Sequence, residues 1–358
     1  MFFQRPSYFD SEHCHCEPNL SPKDATGQVG EAIFRRLPRR PGNVGLLAMT
    51  DSVLTELMEK FNWQMLFVVF MLLNSSIYSQ SDSEKNYDFD LSLISEVHQG
   101  NSYFTLGGGL GNIESLIFEG NLIPNFILRS NKEAKLMAVV TPQIILRMYN
   151  EESLPVRTPS YMPHITIYYS IGKRLSVDNF TIFGKIAHHS NGQEDDFYIE
   201  NGDINYHSGN FSTNYFEAGV IKTFYDSDLK AAQFFSTSLE IHPERLSDIE
   251  LKGLYSFYRW NNQFAIFKLP FETSDSKKEK AKFSLKGQFT WLFGDINDWD
   301  FLELDRIIAS VTFYYHPSFL EDIGLFVQYY HGQDYYNIYF LKSRDIIRIG
   351  FMTDQFRF

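Results

Sequence analysis

The chain has 358 residues, enough for one large domain or two of ordinary size. It carries 32 basic and 44 acidic side chains, a formal charge of −12, whereas a protein that binds nucleic acid through phosphate contacts shows a basic excess. Nucleic acid is therefore excluded as the expected partner. Aromatic residues reach 16% of the chain, but hydrophobic residues are only 44%, too few for a bundle of membrane helices.

Both cysteines, Cys14 and Cys16, lie close to the start of the chain. The remainder therefore has neither a disulfide framework nor a cysteine-based metal site. Together with His13 and His15 they form a short cluster that could bind zinc, but no second pair follows at ligand spacing. We interpret the cluster as part of a leader without metal.

One stretch of the chain is continuously apolar, residues 65–73 (MLFVVFMLL). A helix of this length rises about 14 Å, which is too short to cross a hydrocarbon core of about 30 Å. The stretch has the length of the apolar core of a secretory signal peptide, and small and polar residues follow it. The sequence therefore predicts a signal peptide at 58–80, with cleavage after Ser79 or Gln80.

Residues 1–57 then lie upstream of a natural start at Met58. They contain Pro and paired Arg residues without periodicity, which is typical of upstream sequence translated in frame; a disordered leader is the alternative. The mature protein would be residues 81–358, a single exported domain without cysteine.

From Tyr87 onward the sequence is strand-like almost throughout. Segments rich in Tyr, Phe, Ile and Thr alternate with turn clusters, for example residues 164–170 (HITIYYS) and 282–291 (KFSLKGQFTW), and no amphipathic helix stands out. The pattern predicts an all-β fold, a transmembrane antiparallel β-barrel of about twelve strands whose lipid-facing and lumen-facing residues alternate. The terminal Phe358 is typical of bacterial outer-membrane barrels, and a soluble β-sandwich is the alternative.

Residues of catalytic type end one of these strands, at 184–192 (GKIAHHSNG). Side chains two positions apart share a strand face, so His188 and Ser190 lie side by side on the apolar, lipid-facing side, while Lys185 and His189 face the lumen. A serine hydroxyl needs an adjacent base before it can attack an ester, and a histidine on the same face can supply one. A strand end with an interfacial histidine is the alternative interpretation.

The next predicted strand, residues 210–220, places Asn214 on a face that is otherwise apolar. An unpaired amide on a lipid-facing surface would be costly. Pairing with His188 across the two strands would remove that cost and would orient the imidazole ring.

Four short motifs in three regions, in the same order along the chain, resemble the bacterial outer-membrane phospholipase A family. Residues 151–163 (EESLPVRTPSYMP) are similar to its E-E-S-x-P-x-R-x-x-x-Y-x-P segment, and 188–192 (HHSNG) match its H-x-S-N-G core, which an S-x-N element follows at 212–214. Residues 286–291 (KGQFTW) are similar to its K-G-Q-aromatic-x-W element. The resemblance covers residues 87–358 and implies a divergent, Bacteroidetes-like member: a twelve-stranded phospholipase of A1 or A2 type that hydrolyses acyl esters at its outer wall.

The resemblance assigns a role to each matching residue. Ser190 would be the nucleophile, His188 the general base and Asn214 the residue that orients His188, and the backbone N–H of Gly192 would contribute to the oxyanion hole. It also implies Ca²⁺ beside the site, activity as a homodimer, membrane phospholipids as substrate and integral location in the bacterial outer membrane bilayer.

Two departures from the family pattern bear on calcium. The connection from the nucleophile to Asn214 is long and acidic, so that Asp195 and Asp196 are candidate calcium ligands, with a solvated acidic loop as the alternative. The second departure is at residues 211–213, where this chain has Phe-Ser-Thr and the family has Ser-Arg-Ser. Two further candidate ligands follow from position: the backbone carbonyl of Gln193, and Ser153 from a second copy of the chain.

Two other functions compete with this interpretation. A lipid A deacylase also uses a His-x-Ser pair on the outer wall of a barrel, but in a shorter chain with an acidic third member, and the segment 151–163 argues against it. A non-catalytic barrel, porin-like or degenerate, is the other alternative. The joint presence of His188, Ser190, Asn214 and Gly192 argues against loss of the site.

Overall fold

The computed structural model describes residues 90–112, 114–171, 176–226, 229, 231–267, 283–317, 319–320 and 323–353. The predicted leader 1–57, the signal peptide 58–80 and the terminal Phe358 lie outside these described residues. None of the helices in the described stretches is long and apolar enough to cross a bilayer.

The described strands form one closed antiparallel sheet. They are β1 (Tyr103–Thr105), β2 (Leu116–Leu122), β3 (Phe126–Leu128), β4 (Leu136–Tyr149), β5 (Ser160–Ser170), β6 (Asn179–Ser190), β7 (Ser212–Asp226), β8 (Ala231–Ile241), β9 (Tyr258–Phe267), β10 (Phe283–Phe293), β11 (Ile307–Tyr315), β12 (Ile323–Gln333) and β13 (Ser343–Thr353). From β4 to β13 each strand pairs with the next; β13 pairs with β1, β1 with β2, and β2 with β4. β2 and β3 lie end to end along β4 and count as one barrel strand, so the predicted twelve-stranded barrel is confirmed.

Side chains alternate between the two faces of the barrel wall. In β13, Ile347, Ile349 and Phe351 are exposed on the outside, whereas Arg348 and Met352 are buried inside. The sheet closes on itself through β13, β1, β2 and β4, so the wall can present this apolar surface to lipid with its strands hydrogen-bonded to one another. The alternation is the feature from which the sequence predicted a transmembrane barrel.

A helix inside the barrel was not predicted from the sequence. α1 (Leu91–Gln99) precedes the first strand and begins at Asp90, whose side chain accepts a hydrogen bond from the N–H of Leu93 at 3.1 Å. Its apolar side packs against inward-facing residues of β4 to β9: Met137, Val139, Tyr168, Phe183, Ile221, Ala232, Phe234, Ala265 and Phe267. A helix of two to three turns offers too few repeats of the helical period to stand out in a strand-rich sequence.

Polar contacts at the end of α1 fix the helix in the lumen. His98 Nδ1 lies 2.8 Å from the hydroxyl of Tyr168, and Gln99 Oε1 lies 2.7 Å from His164 Nε2. The Gln263 side chain donates to the carbonyl of Val97 at 3.0 Å. The helix therefore fills the half of the lumen that lies towards the end of β13.

Loops fill the opposite end of the lumen, where β6 ends and β7 begins. The cap cluster is a group of buried side chains from the wall and from loops 191–211, 242–257 and 334–342: Ile145, Phe197, Phe211, Leu251, Tyr255, Tyr336, Ile338, Tyr339 and Phe340. A polar cavity of about 350 Å³ lies beneath the cap cluster, and its lining includes Tyr103, His189, Glu240, Arg259 and Arg348.

A buried network of charges borders this cavity, whose lining includes Asp334 and Arg348. Arg147 Nε donates to Glu119 at 2.8 Å, and both of its terminal nitrogens donate to Asp334, at 2.7 and 2.8 Å. Arg348 pairs with the other oxygen of Glu119, and Arg344 lies 2.6 Å from Asp334. Each carboxylate therefore faces two guanidinium groups, which offsets the cost of removing these charges from water.

We expect Arg147→Met to lower the free energy of unfolding by about 3–5 kcal/mol, because it leaves buried carboxylates without their central partner. The measurement is urea unfolding of the barrel in lipid vesicles. Lys252→Met is the matched control: it breaks an ion pair with Glu244 in which both side chains are more than half exposed, and should change the value by less than about 1 kcal/mol. Equal destabilisation by the two variants would contradict the role given to the network.

Candidate active site

The pairing of β6 with β7 brings the predicted site residues together. The two strands run in continuous register from Asn179 to Ser190, which sets His188 opposite Asn214 and Ser190 opposite Ser212. All four positions belong to the outward-facing set of their strands, as the sequence predicted for His188, Ser190 and Asn214. The register thus collects four polar side chains at the rim of an otherwise apolar wall.

His188 and Asn214 are in contact. His188 Nδ1 lies 3.0 Å from Asn214 Oδ1, and Asn214 Nδ2 donates to the backbone carbonyl of Leu246 at 2.7 Å. Since the amide nitrogen must face the Leu246 carbonyl, its oxygen faces the imidazole, and Nδ1 of His188 is the donor of that bond. In the neutral ring the other nitrogen, Nε2, then carries no hydrogen and can accept a proton.

Ser190 shares the outward face with His188. Positions two apart on a strand are separated by about 6.8 Å along the wall, within reach of an imidazole ring. No hydrogen bond joins Ser190 to His188 among the contacts of the described residues, and such general-base contacts commonly tighten only when substrate is bound. The nucleophile role of Ser190 and the base role of His188 stay predictions.

Gly192 begins the loop directly after β6. Its φ of +66° lies in the left-handed region, and a Cβ at this position would come within 3.2 Å of the Tyr161 ring. Only glycine therefore fits here without strain. Its backbone N–H lies two residues beyond Ser190, and its role in an oxyanion hole stays a prediction.

Asn191 holds the base of this loop, a role that the sequence reasoning did not assign. Its Nδ2 donates to the carbonyl of Gly209 at 2.8 Å, and its Oδ1 accepts from the N–H groups of Phe211 at 3.1 Å and Gln193 at 3.2 Å. The side chain is buried. Its place inside the H-x-S-N-G motif was a signal that could have identified it.

The predicted calcium ligands lie on two loops of the chain, and their role stays a prediction. Asp195 and Asp196 are exposed on loop 191–211, the Gln193 N–H is bound to Asn191, and Ser153 lies on a separate loop after β4. Within the described stretches, no group of three or more His, Cys, Asp or Glu residues converges as a metal site would. The carboxylates of the described residues in one copy therefore do not form a calcium site by themselves.

A further carboxylate lies near the site and was missed by the sequence reasoning. Asp248 donates its N–H to the carbonyl of Ser212 at 2.9 Å. Burial raises the pKa of the Asp248 carboxyl, the nearby Glu250 raises that pKa further, and His188 opposes the shift. Its loop, between β8 and β9, has no catalytic motif that would have pointed to it.

The inward-facing neighbours of the site are structural. Lys185 pairs with Glu217 at 2.8 Å inside the lumen, and His189 Nε2 lies 2.6 Å from Ser160 Oγ. The apolar Phe183 on the same face is explained by the helix, since its ring packs 4.3 Å from that of His98. The wall therefore separates the outward pair from the lumen.

No protein-family model matches the chain, and it has no match among curated proteins. Its structure is similar to outer membrane phospholipase A from Escherichia coli, in the native enzyme and in an active-site mutant at pH 6.1, at 12% identity and a TM-score of 0.46 over 78% of this chain and 96% of that one. The Salmonella typhi outer membrane phospholipase dimer with bound calcium is similar at 13% identity and a TM-score of 0.46, with the same coverage. Likeness at this level does not single out a Bacteroidetes-like member, and the chemistry of the site is inferred from its own geometry.

Proposed function

We propose that the chain is an outer-membrane phospholipase that hydrolyses acyl ester bonds with Ser190 as nucleophile, His188 as general base and Asn214 as the residue that orients His188. The observation that carries the proposal is the 3.0 Å contact between His188 and Asn214 on the outer wall, beside Ser190. Apolar residues at these two lipid-facing positions would stabilise the wall better than a histidine paired with an amide. The presence of the polar pair therefore favours a functional role.

The first half of the reaction forms an acyl-enzyme. Ser190 Oγ attacks the ester carbonyl carbon while its proton passes to Nε2 of His188, and the carbonyl electron pair moves to the oxygen. Collapse of this intermediate breaks the bond to the glycerol oxygen, and this oxygen takes from His188 the proton that came from Ser190. The acyl group is then esterified to Ser190 and a lysophospholipid leaves.

The second half releases the fatty acid. A water molecule gives its proton to His188 and attacks the acyl carbon, and Ser190 leaves with that proton restored. In both halves the Gly192 N–H would stabilise the negative oxygen. Asn214 holds the ring in the required tautomer and, being neutral, adds no charge to a surface beside lipid.

The outward position of the site supports a lipid substrate. Below His188 and Asn214 the wall continues with the facing pair Ile186 and Phe216, both exposed. An acyl chain bound against these residues would bring its ester to the level of Ser190. A substrate in the same bilayer leaflet is therefore favoured, while the filled lumen disfavours an open porin.

Calcium and a homodimer belong to this proposal as finer expectations. The described carboxylates of one copy do not form a calcium site by themselves, so no chemical step is assigned to the ion. The Gln193 carbonyl of one copy with Ser153 of a second copy would be the candidate donors, and calcium would then supply positive charge near the developing oxyanion.

We expect Ser190→Ala to lower fatty-acid release by at least about 10³-fold with the barrel intact, because no other group can form the acyl-enzyme. His188→Gln should cause a comparable loss. His189→Gln is the matched control, since this adjacent histidine faces the lumen. The assay is release from phosphatidylethanolamine micelles, with folding checked by electrophoretic mobility with and without heating. Similar activity in the wild type and Ser190→Ala would exclude the mechanism.

Asn214→Ala should retain measurable activity with a kcat reduced by about 10²-fold, as expected for loss of one orienting hydrogen bond. The KM should change little, because Asn214 does not contact the lipid ester. Steady-state kinetics in the same micelles separate the two constants. A kcat equal to that of the wild type would show that Asn214 does not orient His188.

The calcium expectation is tested by separating monomeric and dimeric barrels and assaying each with Ca²⁺ and with chelator. We expect only the dimer to lose activity on chelation, because the candidate donors come from two copies. Asp195→Asn with Asp196→Asn should keep the response of the dimer. An equal response in monomer and dimer would place the calcium site within one chain.

A further inference from the structure

A short loop segment lies along the start of β7 beside the candidate site. Residues 246–248, which we name the strap, follow a chain excursion after β8 and return to the edge that β8 has left. Ser247 forms an isolated antiparallel bridge with Thr213, and Asp248 donates its N–H to the carbonyl of Ser212 at 2.9 Å. The strap thus replaces β8 as the neighbour of Asn214.

The strap provides the acceptor that orients the Asn214 amide. Leu246 places its backbone carbonyl 2.7 Å from Asn214 Nδ2, while Oδ1 lies at His188. An amide has a donor end and an acceptor end, and this carbonyl permits only the donor end to face it. A carboxylate in place of Asn214 would have an anionic oxygen against the carbonyl of Leu246.

A chain of buried side chains anchors the strap to the inside of the wall. Ser247 Oγ lies 2.7 Å from Thr213 Oγ1, which lies 2.9 Å from His242 Nδ1, and His242 Nε2 lies 2.7 Å from Glu240. Burial lowers the pKa of His242, which favours its neutral form. Nε2–H then donates to Glu240 and Thr213 donates to Nδ1, so Ser247 is the donor to Thr213, with the Pro243 carbonyl as a longer second acceptor at 3.2 Å.

Glu240 is itself fixed by further contacts. Asn261 donates to its second oxygen at 2.9 Å, and Arg259 lies 3.4 Å from its first. The series from Glu240 to Ser247 therefore connects the polar lumen with a loop on the outer rim.

We propose that the strap is a positioning element of the candidate site and that Ser247 is a positioning residue, acting through the Leu246 carbonyl and Asn214 on His188. This inference rests on the proposed function. It assigns to the buried Thr213–His242–Glu240 series the task of holding an outward-facing catalytic side chain in one orientation.

The decisive experiment is a double-mutant cycle of Ser247→Ala with Asn214→Ala in the full-length barrel. Alone, Ser247→Ala should lower kcat by about 3–10-fold with KM unchanged, because the Leu246 carbonyl is held less firmly. In the Asn214→Ala background the same change should have no further effect. A loss of equal size in both backgrounds would overturn the proposal, since Ser247 would then act independently of Asn214.

A second readout follows the nucleophile directly. The rate at which a long-chain fluorophosphonate labels Ser190 should fall in Ser247→Ala by the same factor as kcat. Ser256→Ala is the matched control, since Ser256 is buried in the same loop but donates to the carbonyls of Tyr258 and Phe293 on its far side. It should leave the labelling rate unchanged. An equal fall in both variants would indicate general loosening of the loop.

Asn214→Asp tests the donor end of the amide alone. The carboxylate can still accept from His188 but cannot donate to Leu246, so we expect kcat below that of the wild type. Activity equal to or above the wild type would overturn the proposal. If the wild type itself neither releases fatty acid nor labels at Ser190, the proposed function fails first, and the two failures are thereby distinguished.

Discussion

The structure depends on closure of the sheet through the pairing of β1 with β13 and of β2 with β4. In a closed sheet the wall has only two faces, and every side chain on a strand must point either to lipid or to the lumen. A polar residue at an outward position therefore cannot be hidden by turning inward. Its cost has to be met by a neighbour on the same face, and across β6 and β7 His188 and Asn214 meet it for each other.

The same constraint divides the chemistry of the molecule into two compartments. Inside, charged side chains are abundant and are paired with one another, as Arg147 is with Glu119 and Asp334. Outside, the wall is mostly apolar, and the polar group beside Ser190 is organised by the contact between His188 and Asn214. The series from Glu240 through His242 and Thr213 to Ser247 passes between them at a place where β8 has ended and a loop has taken over its edge.

Side chains alternate between the two faces of a strand, and the sequence was sufficient to predict the features that follow from this alternation. It predicted the barrel, the outward face of His188 and Ser190, the lumen position of Lys185, and the contact between His188 and Asn214. It did not predict α1, because so short a helix carries few periods. The strap and the series behind it were also missed, since they depend on contacts between β7 and residues some thirty positions later in the chain. Asp195 and Asp196 were inferred as calcium ligands from the acidic composition of their loop, and Gln193 and Ser153 from their positions in the chain, and neither determines whether donor atoms converge.

The position of α1 has a consequence for how the molecule assembles. The helix lies before β1 in the chain but is enclosed by β4 to β9, and the seam between β1 and β13 can close only after the last strand is available. The helix is therefore made before the surface that it packs against, and that surface is complete only when β4 to β9 have paired. The place of a segment that is not part of the wall thus depends on strands that are synthesised after it.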